Sequence, residues 1–265
     1  MQPFLGTEAL SAGVVTRYQL ATRYDALFRN VYVPKDHPVT ALDKAIGACL
    51  WSGRRATAAG LSAAALHGSR WIDARLPAEL NQSSRHKTTG ILLHSDTLRN
   101  DEVCVLNGVP ATTAARTAFD LGRRGRIETA VLRIDALMQA TGLKAEAVGA
   151  LVECHRGARG LVNLRKALEL SDPGAESPQE TRTRLVLTAA GLRPTHTQID
   201  VYDGYDHVGR IDMGYLKWKV GVEYDGLQHW TDPRVRNRDI ERPSRVPALR
   251  CGRQVRTSGV RRRCW

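Results

Sequence analysis

No stretch of this 265-residue chain stays apolar for the roughly 18 residues a membrane-spanning helix needs, so no membrane partner is expected. The opening Met-Gln-Pro-Phe-Leu-Gly-Thr-Glu lacks the basic-then-apolar order of a secretory signal, and a cytoplasmic location is the expectation. Cysteine is scarce. Cys49, Cys104, Cys154, Cys251 and Cys264 are odd in number and lack paired spacing, which argues against a disulfide framework or a zinc cluster and for reduced, mostly buried thiols. No motif of stacking aromatics is visible, so an RNA-directed enzyme has little support. Finally, no acidic residue follows Glu241.

What is present suffices for one large or two ordinary domains, since 42% hydrophobic residues can build cores. The net charge of +12 suggests a polyanion partner, but the charge is uneven. Residues 1–170 hold 22 basic and 15 acidic side chains, 171–241 hold 9 and 12, and 242–265 hold 8 and none. The acidic middle segment carries the most chemically suggestive pattern. From Lys217 to Asp225 the residues alternate as in a half-buried strand, with Lys217, Lys219, Gly221, Glu223 and Asp225 on one face. Asp212 ends a preceding strand-like segment that could pair with it as a hairpin. Three carboxylates at neighbouring strand ends suit a hard divalent cation, Mg²⁺ or Mn²⁺.

In chain order, Thr7 to about Leu20 reads as helical, with Gly13 a turn and Thr16 the N-cap of a second helix. Leu27 to Pro34 reads as a strand or wing, with Asn30 tolerating a left-handed turn. These pieces fit either a small winged helix-turn-helix or simply the helical start of a mixed domain. Helices follow over Ala41–Trp51 and Ala56–His67, then strands over Pro77–Asn81, Gly90–His94 and near Cys104. The polar run from Ser83 to Thr89 between them is either a phosphate-touching loop or a solvated turn. Thr112 or Thr113 caps a helix to Leu121, and Glu128–Met138 and Leu161–Leu170 continue the helical series. Arg116 and Asp120, four apart, are expected to form an ion pair within their helix.

Val15-Thr-x-x-Gln-Leu20, Arg29-Asn-Val-Tyr32, Leu61-Ser-Ala-Ala-Ala-Leu-His-Gly68 and Pro110-Ala-Thr-Thr-Ala-Ala-Arg-Thr-Ala-Phe-Asp-Leu121 resemble the AbiEi-like family of antitoxins and regulators. The likeness covers about residues 1–170, and Asn30 stands where that family usually has Gly. It implies a winged helix at 1–35 and a mixed domain at 36–170, with DNA bound by helix and wing. Thr16, Arg17 and Arg29 are the residues that would then face DNA.

Pro and Gly between Glu169 and Ser177 mark a domain boundary. Ser177-Pro178-Gln179-Glu180 reads as a capping box opening a helix to about Ala190. That helix, a strand at Thr197–Tyr202 and the two carboxylate strands resemble the restriction-endonuclease-like core of the PD-(D/E)xK superfamily. The likeness is to an uncharacterised family related to very-short-patch-repair nucleases, over about 177–241. It implies a Mg²⁺-dependent endonuclease in which Asp212 and Glu223 bind metal and Glu180 adds an outer ligand or orients water. Asp225 stands where many such nucleases carry Lys, so His229 or Lys219 would take the proton from water. Plainer readings coexist: Glu180 as a helix cap, Asp225-Gly226 as a turn, His229 as a packing residue beside Trp230.

After Glu241 neither structural period continues, and Pro243 interrupts the helix begun at Arg236. We expect that the reading frame changes there, so that the core is cut short. The alternative is a basic arm for nucleic acid over 242–265. The expected fold is thus an α+β N-terminal region starting with a winged helix-turn-helix, then a truncated α/β restriction-endonuclease-like core. The expected protein binds DNA, with a homodimer admissible, and hydrolyses phosphodiesters, or else is a non-catalytic regulator or antitoxin with a degenerate core.

Overall fold

The computed structural model describes residues 2–83 and 88–224, together with the backbone of 260–264. The polar loop at 84–87, Asp225, His229 and most of the basic tail lie outside the described residues. The protein is a mixed α and β structure that divides into two compact units, Met1–Ser171 and Asp172–Trp265. No described helix is long and apolar enough to cross a membrane.

The first unit opens with β1 (Phe4–Leu5), α1 (Gly6–Ser11), α2 (Arg17–Arg23), β2 (Tyr24–Phe28) and β3 (Val31–Pro34). The strands form an antiparallel sheet in the order β1-β3-β2. Thr16 caps α2 reciprocally: its hydroxyl accepts the Gln19 N–H at 3.1 Å, and Gln19 Oε1 accepts the Thr16 N–H at 2.8 Å. Asn30 turns the β2–β3 hairpin at φ +64°. Its amide also accepts the Thr7 N–H at 3.1 Å and donates to Thr7 Oγ1 at 2.9 Å, satisfying the start of α1. Glycine would allow the same turn without that cap.

The unit continues with α3 (Ala41–Trp51), β4 (Thr57–Ala58), α4 (Gly60–Leu66), β5 (Ala78–Asn81), β6 (Ile91–His94), β7 (Val103–Leu106) and β8 (Val109–Thr112). Strands β4 to β8 form a mixed sheet in the order β6-β5-β4-β8-β7, parallel between β5 and β6 and between β4 and β8. One core joins Phe28 and Val31 of the first sheet to Ala45, Ala48, Ala63, Leu80 and Ala111, the small alanines letting helix and sheet approach closely. The helix expected over Ala56–His67 starts later than its alanine pattern suggests. Ala58 is needed as a strand residue between β5 and β8, and Gly60 makes the turn into α4 at φ +50°. Four helices complete the unit: α5 (Ala114–Arg123), α6 (Ile127–Thr141), α7 (Ala145–Cys154) and α8 (Leu161–Leu170). They bury Phe119, Val131, Ile134, Leu137, Val148 and Leu164.

The second unit has α9 (Pro178–Ala189), β9 (His196–Asp203), β10 (Asp206–Tyr215), β11 (Val220–Tyr224) and β12 (Val260–Cys264). Its sheet is antiparallel throughout, in the order β12-β11-β10-β9. The strand expected from Lys217 is shorter than its alternation implies. Pairing of Tyr215 with Val220 forces the chain to reverse between them. Leu216–Trp218 therefore forms a 3₁₀ turn and Lys219 takes a left-handed φ of +51°. Lys217 and Lys219 leave the strand, so Lys219 does not share a strand face with Glu223.

Candidate functional site

Asp212 lies within β10 rather than at its end, and both neighbouring strands bring a polar side chain to it. On one side the ladder with β11 closes at Met213 opposite Val222, so the next step sets Asp212 against Glu223. There Asp212 Oδ2 accepts the backbone N–H of Tyr224 at 2.8 Å. On the other side the pairs Ile211–Ile199 and Met213–Thr197 bracket Asp212 against Gln198 of β9. Gln198 adopts φ +52°, a left-handed conformation uncommon inside a strand. Its Nε2 donates to Glu180 Oε2 at 3.1 Å, tying α9 to the same sheet position.

The sequence-expected capping box at α9 forms by half. Ser177 Oγ accepts the Glu180 N–H at 3.2 Å, but the Glu180 carboxylate turns back to the Glu176 N–H at 2.9 Å instead of to Ser177. One oxygen, Oε2, thus receives both Glu176 and Gln198. The inward side of α9 is polar: Glu180, Thr181, Thr183 and Arg184 are buried while Val186 is 69% exposed. Buried polar groups cost free energy unless partnered, so this helix face is not built for packing alone.

The carboxylates repel one another. Burial pushes the Asp212 carboxyl above its ordinary range; the Tyr224 N–H opposes that, the charges of Glu223 and Glu176 add to it, and Arg210 opposes it. Glu180 is likewise raised, first by burial and further by Asp212 and Glu176, against the N–H of Glu176 and the hydroxyl of Ser177. Arg210 Nη2 is engaged with Glu176 Oε2 at 2.7 Å. Among the described residues no three His, Cys, Asp or Glu side chains form a metal-holding group on their own. The residues do fit a divalent cation in kind: the donors are oxygens, and the raised carboxyls of Asp212 and Glu180 are what an added positive charge would relieve.

The N-terminal residues singled out from sequence sit at the surface. Thr16 and Arg17 are exposed at the start of α2, and Arg29 is exposed at the β2–β3 turn. The Thr16 hydroxyl already serves as the α2 cap. The Arg116–Asp120 pair forms, with Nε to Oδ2 at 3.1 Å, inside a larger buried network.

No family model matches the chain. It is 26% identical over 162 residues to two curated Mycobacterium tuberculosis proteins. These are uncharacterized protein MT2308 of strain CDC 1551 / Oshkosh and uncharacterized protein Rv2248 of strain ATCC 25618 / H37Rv. The match takes in 61% of this chain and 59% of each relative, less than two thirds of the relatives' own length.

Sequence reasoning did not single out Gln198 or Glu176. The β9–β10 register shifts between His207 and Gly209, so counting back from the hairpin turn does not place Gln198 opposite Asp212. Glu176 precedes the helix cap and reads as linker. Its only signal is the acidic run it makes with Asp172 and Glu180.

Proposed function

We propose that this is a DNA-associated protein whose second unit hydrolyses phosphodiesters with Mg²⁺ or Mn²⁺. The observation that carries the reading is Asp212, held by the Tyr224 N–H and bracketed by Gln198 and Glu223, with its carboxyl raised by burial and by Glu223 and Glu176. Asp212 and Glu223 would hold the metal, and Glu180, steadied by Gln198, would act from the outer side. A bound Mg²⁺ or Mn²⁺ supplies a Lewis acid for the phosphate and lowers the pKa of an attacking water. The resemblance to the PD-(D/E)xK core agrees with one helix packed at a carboxylate-bearing antiparallel meander. The two short helices and hairpin of residues 1–35 agree with an AbiEi-like winged helix, whose exposed Arg17 and Arg29 would meet phosphates.

A second reading is a non-catalytic DNA-binding regulator or antitoxin with a degenerate core. It draws on β11 itself: Val220–Tyr224 contains no lysine, and Lys219 is turned out of the strand. Conversion of supercoiled plasmid to nicked or linear product separates the two. Cleavage in Mg²⁺ that stops with EDTA and in both Asp212→Ala and Glu223→Ala supports the nuclease. DNA retention in a gel shift with no cleavage by the full chain supports the regulator.

A further inference from the structure

A cleft of about 270 Å³ opens in the first unit, lined by Asp96, Thr97, Arg116, Phe119, Arg123 and the 154–158 segment. Its floor is ionic. Arg116, only 2% exposed, donates from Nε to Asp120 Oδ2 at 3.1 Å and from Nη1 to Glu102 Oε2 at 2.5 Å. Arg123 donates from Nε to Asp120 Oδ1 at 2.8 Å and from Nη2 to Asp96 Oδ1 at 2.6 Å. Arg124 takes Asp96 Oδ2, and His155 takes Glu102 Oε1. The Phe119 ring stands within cation–π distance of both guanidiniums, 5.4 Å from Arg116 Cζ and 5.6 Å from Arg123 Cζ.

An inventory of donors and acceptors decides what this cleft lacks. Every carboxylate oxygen of Asp96, Glu102 and Asp120 already accepts a hydrogen bond. The unused groups are donors: among the described residues, Arg116 Nη2 and Arg123 Nη1 have no acceptor. A third guanidinium of the network, Arg124, does not line the cleft but also has its Nη1 buried without a partner. Three arginines thus offer more N–H groups than three carboxylates absorb, and the missing partner is an acceptor.

We propose that this cleft binds a small phosphate or phosphate monoester, whose oxygens accept from Arg116 Nη2 and Arg123 Nη1. Two guanidiniums that each present one donor suit a tetrahedral oxyanion better than a planar carboxylate, which one arginine fork can match alone. The depth of Arg116 excludes the phosphate of a duplex backbone, whereas a detached oxyanion can enter. The site is independent of the carboxylate centre and of any nuclease activity.

The test is calorimetric titration of the full chain with inorganic phosphate at fixed ionic strength, with acetate and chloride as parallel titrants. The expected result is saturable binding of one phosphate per chain and none of chloride. Cys154 is exposed and lines the cleft, so Cys154→Asp adds a negative charge there while leaving the network intact, and is expected to weaken phosphate binding about ten-fold or more. Phosphate is also expected to slow iodoacetamide alkylation of the Cys154 thiol, read on its own peptide by mass spectrometry. Arg123→Gln should abolish binding; if it fails to fold, Cys154→Asp and the alkylation rate still decide. Phosphate binding unchanged in Cys154→Asp, an alkylation rate indifferent to phosphate, or acetate binding as well as phosphate would overturn the assignment.

Discussion

Gln198 reaches Glu180 from a backbone conformation that strands rarely hold: at φ +52° its Nε2 donates to Glu180 Oε2 at 3.1 Å, beside Asp212 in the next strand. A left-handed non-glycine residue costs on the order of 1 kcal/mol or more. Replacing it separates geometry from side-chain function. Gln198→Gly relieves the backbone and removes the amide, so stability should stay within about 1 kcal/mol of wild type while divalent-cation binding weakens. Chemical denaturation together with Mn²⁺ titration reads both quantities.

Asp212 and Glu180 set a pH dependence of defined sign. Their folded carboxyls are raised above the ordinary 3.8 and 4.5, chiefly by burial, so their contribution to stability is fully present below those values and is lost as pH rises through the folded ones. In EDTA, Asp212→Asn should therefore raise Tm at pH 8 and give no gain below pH 3.8. Adding Mg²⁺ at pH 8 should raise the Tm of wild type and leave that of Asp212→Asn unchanged.

The first unit should respond to acid in the opposite sense. Burial raises the Asp96 carboxyl, but Arg123 and Arg124 outweigh it and hold the group below 3.8; Glu102 is held below 4.5 by His155, the Arg99 N–H and Arg116 against the same burial. Their stabilisation is present above those values and disappears as pH falls through the lower folded ones. Asp120→Ala at neutral pH leaves Arg116 and Arg123 short of their shared partner, and should cost roughly 3–5 kcal/mol in urea denaturation.

Gly60 offers a test of the fold alone. A Cβ there would stand 2.2 Å from Glu79 Oε2, and the backbone is at φ +50°. The Glu79 carboxylate cannot simply swing away, since it accepts the Leu61 N–H at 3.1 Å and meets His94 Nε2 at 2.7 Å. Gly60→Ala should lower the denaturation midpoint by the equivalent of about 2 kcal/mol or more with an unchanged m-value.

Local chemistry was legible where it is written in adjacent residues. The Thr16 cap, the left-handed Asn30, the Ser177-Pro178 helix start and the Arg116–Asp120 pair all follow from residue type and spacing of four or fewer. Alternation misled from Lys217 to Lys219, because a two-residue period cannot reveal that the partner strand ends at Tyr215 and the chain must turn. The helix α7 buries only Val148 and Val152 of its length and contains Gly149, which leaves a faint pattern. At the site, the carboxylates of Asp212 and Glu223 stood out as acidic residues in apolar strands. Gln198 did not, because its position depends on a one-residue register shift elsewhere in the hairpin.

Mn²⁺ binding followed by electron paramagnetic resonance tests most directly whether Asp212 and Glu223 seat a divalent cation. One Mn²⁺ per full chain at pH 8, released in Asp212→Asn and in Glu223→Gln, is the predicted result. Binding of Mn²⁺ that both variants retain, or no binding by the wild-type chain, would contradict it.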